Sequence, residues 1–566
     1  MKVQRSLKPN LRKLSLSLLA LVFAYFHTLL SQGNSPPARV DQSEAQRWRQ
    51  DVRYMAEEMP RHHKNLFHTM TRAQFEGAID SLCERIPSLA RHQIIVEMAR
   101  IVAMVGDGHT NIAPTRDPKI GFRTYPLKLY FFKDGLFVRA GTRECVGIVG
   151  SRVVRIGKFS VEQAYNAVRT IIGRDNEMGV RFFAPFLLAI PEVLHALGLI
   201  DDMENTEITV ERHGRLTTVT VKPYGPAEMF APDTDTSWAR KTGWLDARDS
   251  VQSPPLWLRD PRSKFWFVYM TDSPTVYVQF NQVGNKENET VEAFTKRLFA
   301  FLEAEPVDRF RFVLDLRLNR GGNGALNRPL LLAIIKSGKV DRRGSLFTII
   351  GRGTWSAAQF LVNDLEKYTN TIFVGEPTGG KVNSYGDSHK IILPNSGITV
   401  RVSTLWWQED ERDTRQWTAP QIAADLTFED YRNNIDPALN AILSYTPAKS
   451  LTELLMDAVS GKDPASVGAR YDEWKSDPKN EYVDTEPQLN GLGYQLMARK
   501  QMDKAIAIFK LHVAAFPQSS NAYDSLGEAY MNAGKRDLAV ENYRKALELD
   551  PTNANAREII KRLQTK

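Results

Sequence analysis

Cysteine is nearly absent: Cys83 and Cys145 are the two in 566 residues. That excludes a disulfide framework, and the pair is expected as buried free thiols. No HExxH occurs. The stretch RHHK, residues 61–64, and His68 lack any accompanying Cys/His ligand spacing, so a solvated helix end is expected there and no metal. GxSxG is missing too, which removes the strand-to-helix elbow of the α/β-hydrolases. A broad cationic surplus is also lacking. Of the net +8, five charges come from Lys2, Arg5, Lys8, Arg12 and Lys13, ahead of the first acid, Asp41. The rest of the chain makes no charge-based case for nucleic acid.

What is present begins with that basic segment. It runs into LSLSLLALVFAYFHTLL, residues 14–30, with small residues at Ser31-Gln32-Gly33. A charged start before an apolar run is the pattern of a signal peptide, and the run is short of the ~20 residues a spanning helix needs. Residues 1–33 are therefore expected to be a signal peptide or an anchor. The chain is expected to be exported, to the periplasm or outside the cell, with a membrane contact only if the segment stays uncleaved. The chain as a whole, at 42% hydrophobic and 25% charged, is globular in composition and long enough for several cores.

Residues 45–115 space apolar side chains at three and four, as helices do, and stop at GDGHT, residues 106–110. Residues 123–223 alternate short strands, around Asp134-Gly135 and His213-Gly214, with an amphipathic helix at SVEQAYNAVRTII and a helical insertion near 175–200. This α+β pattern is PDZ-like. Residues 224–264 hold Pro, Asp and Trp with little periodicity, a segment that can line or cover a site. From 265 to 445, strand-like runs (TVYVQFNQV, RFVLDLRL, SLFTII, TIFVGE) alternate with helical ones. That order predicts a parallel sheet, with the site beyond the carboxyl ends of its strands. Residues 450–566 are helical. Within them SNAYDSLGEAYMNAGKRDLAVENYRKALELDPTN repeats the small and large positions of Leu489, Leu492, Gly493, Leu496, Ala505, Phe509 and Pro517 at the tetratricopeptide period. SLTELLMDAV or AREIIKRLQ is expected to complete the stack. Such stacks offer concave surfaces, so a protein or peptide partner is expected there.

Ser356, in GRGTWSAAQF, stands where a strand gives way to a helix. A serine there is a favoured helix cap, although Thr354 can take that role. It is also placed to attack, with helix amides beneath it to favour negative charge. Two neighbouring stretches add to this. DLRLNRGGNG ends the preceding strand with Gly321-Gly322, where backbone amides can face a ligand. With the amide of Ala357 they are candidates for an oxyanion hole. GEPTGGK ends the following strand with Lys381. Gly375–Lys381 fits most of a phosphate-binding loop, but Val382 stands where Ser or Thr should be and no helix is predicted after it, so no nucleotide cofactor is expected.

Taken together, DLRLNRGG, the serine followed by Ala-Ala, VGEPTGGK, GDGHT and IDPALNAIL resemble the tail-specific, C-terminal processing and tricorn-core serine peptidases over roughly residues 45–445. The resemblance implies a multidomain α/β protein: an N-terminal helical segment, a PDZ-like α+β domain, an α/β crotonase-like peptidase core and, here, a C-terminal tetratricopeptide region. It implies Ser356 as nucleophile, an oxyanion site at Gly321-Gly322, a peptide or protein substrate, and neither cofactor nor metal. Two bases are open. C-terminal processing members use a lysine at the position of Lys381, which must be buried to act as a base. Tricorn-like members use a histidine of the GDGHT-type turn, here His109, which needs little adjustment near neutral pH. His109 is favoured, with Lys381 orienting substrate or binding its carboxylate. The supporting acid is sought among Glu409, Asp410, Glu411 and Asp413. Gln359 and Gln421 stand where the family has Glu and Asp. These departures leave an alternative, a scaffold or peptide-binding protein that keeps the fold without the chemistry.

Overall fold

The computed structural model describes residues 39–114, 117–226, 243–248, 253–304, 310–461 and 466–564. The expected signal peptide or anchor at 1–33, and about half of the aperiodic 224–264 segment, lie outside them. No helix among the described residues is long and apolar enough to cross a membrane.

Three helices open the described chain: α1 (Gln42–His62), α2 (Arg72–Arg85) and α3 (Arg91–Ala103). Side-chain caps start the first two, with Asp41 and Thr71 accepting the orphan amides of Glu44 and Gln74. An antiparallel sheet follows, of β1 (Leu127–Phe132), β2 (Gly135–Thr142), β3 (Arg152–Ile156), β4 (Thr206–Arg212) and β5 (Arg215–Val221), neighbours in that order with two short strands at its margins. Helices α4 (Val161–Arg169) and α5 (Glu177–Leu187) lie between β3 and β4.

The second sheet carries the motifs. It runs β6 (Phe265–Met270), β7 (Thr275–Phe280), β8 (Arg311–Asp315), β9 (Leu346–Ile350) and β10 (Ile372–Gly375), and ends on the short strand Ile422–Ala423. The first pair is antiparallel and every later pair parallel. Every residue of β7, β9 and β10 is buried, as expected of a sheet covered on both faces. The crossovers carry α6 (Val291–Ala304), α7 (Arg328–Lys336) and α8 (Ala357–Tyr368). Consequently DLRLNRGG, GRGTWS and GEPTGGK all leave the same carboxyl edge of the sheet, from β8, β9 and β10.

A hairpin, β11 (Ser384–Ile392) with β12 (Thr399–Trp407), leaves that edge and changes partners. Its residues Ile391, Val400 and Val402 share one hydrophobic cluster with α1–α3 and the first sheet. The boundary drawn in the sequence between an N-terminal helical segment and a PDZ-like domain is thus not a boundary between cores. The two share one, and part of the 265–445 unit is inserted into it.

The C-terminal helices, α9 (Leu451–Ser460), α10 (Ser466–Ser476), α11 (Glu486–Ala498), α12 (Met502–Ala515), α13 (Ser520–Asn532), α14 (Arg536–Leu549) and α15 (Ala554–Gln564), form a further cluster. Both α9 and α15 join it, so the stack is completed at each end. Gly493 and Gly527 allow the close approach. A Cβ on Gly493 would stand 2.4 Å from the Phe509 ring, and one on Gly527 3.1 Å from Tyr543. The stack meets the rest of the chain where Tyr482 Oη donates to Asp425 Oδ1 (2.6 Å) and Lys133 pairs with Glu481 (2.8 Å).

Candidate active site

Ser356 sits at the start of α8 but does not cap it: its side chain makes no cap hydrogen bond. Its backbone has φ 55° and ψ −128°, a conformation a non-glycine residue adopts only when its surroundings impose it. Those surroundings are on both sides. Trp355 N donates to Asn319 O (3.1 Å), Thr354 Oγ1 donates to Leu316 O (2.9 Å), and Gly351 N donates back to Thr354 Oγ1 (3.1 Å). Thr354 therefore ties the β9 turn to the end of β8 rather than capping the helix.

His109 meets this serine across 247 positions of sequence, its Nε2 lying 3.2 Å from Ser356 Oγ. The ring stacks on Trp355, with centroids 4.2 Å apart and planes at 16°. The GDGHT turn that carries it is built around one carboxylate. Asp107 Oδ1 accepts from the amides of His109 (2.9 Å) and Thr110 (2.7 Å) and from Ser403 Oγ of β12 (2.7 Å). Asp107 Oδ2 lies 2.9 Å from His63 Nε2. Burial alone would push the Asp107 carboxyl up, but the bonds from His63, Ser403 and Thr110 hold it below the usual carboxylate range. Ser388 Oγ of β11 donates to His109 O (3.0 Å).

His63 corrects an expectation. RHHK was read as a solvated helix end. In the structure the His63 side chain is fully buried against Asp107, and His62 stacks on His389 with centroids 4.0 Å apart. Asn65 N donates to His63 Nδ1 (2.9 Å), so the Nε2 proton is the one given to Asp107. Among the described residues no group of three or more His, Cys, Asp or Glu is placed to hold a metal ion. Cys83 and Cys145 are buried and unpaired.

The oxyanion candidates divide. Gly321 lies against the serine: a Cβ there would be 2.7 Å from Ser356 Cβ and 2.8 Å from Ala357 N. Its own amide, however, is already donated to Asn319 Oδ1 (2.9 Å). Its contribution is close approach rather than a free donor, which corrects the expectation that its amide faces substrate. Ala357, at the first position of α8, is part of this contact, and Gly322 follows Gly321 with φ 139° against the Val283 backbone.

The structure does not join Lys381 to Ser356. Lys381 is partly exposed, and its charge registers on His68, where burial and then the neighbouring charges weigh on the imidazole. The four acids sought in the sequence are on the surface or paired elsewhere, Asp410 with Arg412 and Asp413 with Arg415. The carboxylate that does reach the site is Asp175, which comes from the loop before α5. Its oxygens accept from Gly108 N (2.9 Å) and Trp355 Nε1 (2.8 Å). Burial pushes Asp175 up, the charge of His109 pulls it down, and Asp107 pushes it up again. Asp175 was missed because no motif surrounds it; tertiary approach alone brings it here. His109 Nδ1 is buried and finds no hydrogen-bond partner among the described residues. Gln359 is buried on α8, donating to Asn363 Oδ1 (2.8 Å) and Thr418 Oγ1 (2.9 Å), away from the His–Ser contact. Trp355 and Asp175 also line a small cleft with Phe182 and Arg320.

Asp315 and Arg317 of DLRLNRGG are structural. Arg317 holds Asp315 and makes two 2.9 Å bonds to Asp436, which in turn caps the short helix Pro437–Leu443. Asn319 Nδ2 donates to Phe280 O (2.7 Å), fixing the loop that carries Gly321.

This chain is similar to known proteins in three comparisons. The tetratricopeptide repeat family's profile matches residues 520–553. The peroxisomal targeting signal receptor of Candida albicans is 34% identical over 80 residues, 14% of this chain, and the match spans only 13% of that relative's length. Among solved structures, mature CPAF has TM-score 0.48 at 12% identity over 70% of this chain and 98% of its own. The photosystem II D1 C-terminal processing protease has TM-score 0.34 at 14% identity over 70% of this chain and 96% of its own.

Proposed function

We propose that this chain is a serine peptidase of the tail-specific and tricorn type, acting through an acyl-enzyme on Ser356. One observation carries the reading. A serine held at φ 55° without a capping bond presents its Oγ 3.2 Å from a histidine that arrives from another part of the chain. A cap would need neither feature. In the reaction, His109 Nε2 takes the Ser356 proton as Oγ attacks the scissile carbonyl carbon. The Ala357 amide, at the positive end of α8, and the Gly322 amide stabilise the oxyanion. His109 then delivers the proton to the leaving amine, and water releases the acyl group by the same route reversed. Asp175 supplies the buried negative charge that favours the imidazolium. Lys381 is assigned no proton transfer.

The test is hydrolysis of unstructured protein and of a peptide library by the full chain. Ser356→Ala and His109→Ala are each expected to lower kcat by at least about 10³-fold. Lys381→Ala is expected to lower kcat/KM by less than about tenfold, as a substrate contact would. A lysine variant as inactive as the serine variant would reassign the base. Export is part of the proposal, supported by the basic-then-apolar pattern of residues 1–33, and fractionation of cells expressing the full chain checks it. The tetratricopeptide stack is proposed to hold a protein or peptide partner, which pull-down with and without residues 450–566 would identify.

A further inference from the structure

β11 and β12 do more than hold His109 in place. Three consecutive residues of β11 join the candidate base to an exposed indole. Gly386 lies between them: a Cβ there would be 4.0 Å from His109 Cε1 and 3.1 Å from Trp407 Cδ1. Asp387 accepts from Trp407 Nε1 through Oδ2 (2.8 Å) and does so from a left-handed backbone, φ 54°. Ser388 holds the His109 carbonyl. Strain at a residue whose side chain fixes one ring marks a position built for that ring. Trp407 is nevertheless 38% exposed, so burial in the chain's own core does not explain it.

Phe360 packs against the indole, with centroids 5.2 Å apart and planes at 49°. Phe360, on the first turn of α8, follows Ser356 by four residues, and its amide donates to Ser356 O (3.2 Å). A Cβ on Gly324 would be 3.5 Å from the Phe360 ring and 3.8 Å from Ala357 Cβ. The two rings therefore form a wall that starts at the serine, borders the oxyanion side and ends in solvent.

We propose that Trp407 and Phe360 are the specificity wall of this site, accepting a large apolar or aromatic side chain of the peptide next to the scissile bond, with Asp387 positioning the indole. This rests on the peptidase reading for its substrate. Its occupant follows from continuity: a peptide whose carbonyl reaches Ser356 cannot avoid the wall, and a flat apolar surface beside a fixed carbonyl position selects by hydrophobic contact.

The experiment uses the full chain and a matched set of internally quenched peptides that differ only at the residues flanking the cleaved bond: Phe, Leu, Gly or Asp. Wild type is expected to prefer Phe and Leu over Gly by about tenfold or more in kcat/KM. In Trp407→Ala that preference is expected to fall to about twofold, chiefly through loss on the Phe and Leu peptides. Asp387→Gly, which keeps the ring and relaxes the backbone, should fold well and lose part of the preference. Unchanged preference in both variants, with cleavage still abolished in Ser356→Ala, would overturn the wall and leave the peptidase reading standing. If wild type cuts none of the peptides, binding of the same set to Ser356→Ala and to Ser356→Ala/Trp407→Ala decides by fluorescence anisotropy. Discrimination that needs Trp407 would keep the wall while removing the peptidase reading. Absence of discrimination would overturn the wall.

Discussion

Two turns meet at the candidate site, and they are held in different ways. The Ser356 turn is fixed mostly by main chain, through strand register, glycines pressed against carbonyls and a strained φ, with Thr354 and Asn319 the side chains that tie it down. The His109 turn is fixed by side chains, through one carboxylate that gathers the turn, β12 and the end of α1. The first is a product of sheet topology and tolerates no added atom. The second is a product of a few polar contacts and fails when an acceptor is removed.

The largest test of this contrast is Gly322→Ala. Its Cβ would stand 2.1 Å from Val283 O at φ 139°, so the β7–β8 edge must give way. A loss of about 4 kcal/mol or more, or failure to fold, is expected in denaturant titration. Asp107→Ala comes next. It strands three donors and His63, and about 3 kcal/mol is expected together with a fall in kcat. Its pH dependence has a definite sign. The folded-state pKa of Asp107 is depressed, so its stabilisation is complete above the unfolded value of about 4 and is lost as pH falls through the folded one. Wild type and Asp107→Asn should therefore converge in stability in strong acid; a constant gap from pH 7 to pH 2 would contradict the assignment.

Ser356→Gly sharpens the comparison from the other side. Glycine adopts φ 55° freely, so the inactive variant is expected to be more stable by about 1 kcal/mol, visible as a raised melting temperature. The smallest effect belongs to Ser388→Ala. Losing one bond to the His109 carbonyl should cost about 0.5–1.5 kcal/mol and lower kcat more than it raises KM.

The same contrast explains what the sequence made legible. Alternating strands and helices from 265 to 375, the serine at a strand-to-helix junction and the two full repeats are local patterns, and the structure has them. The His–Ser approach was legible only through motif order. Asp175 was not legible at all, because it sits in an unremarkable loop and is carried in by folding of the middle unit. The acids at 409–413 drew attention by position in the chain, yet they face solvent and neighbouring arginines. His63 was misread because a helix end looks solvated until the hairpin, more than 300 positions later, is packed over it. The Gly321 amide was misassigned because a glycine pair advertises free donors, while Asn319 two positions earlier turns back to take one.

The crossing of β11–β12 into the N-terminal core has a consequence in time. As the chain is synthesised, GDGHT emerges long before the strands that order it, and Ser356 long after. The carboxylate that shapes the histidine turn keeps part of its shell empty until Ser403 arrives. Contacts of such long sequence separation form late and slowly. The nascent chain is therefore inert through most of its own production, and a truncated product ending before β12 has the serine without an ordered histidine. The candidate site is thus assembled only once β12 has emerged, with residues 408–566 still to follow.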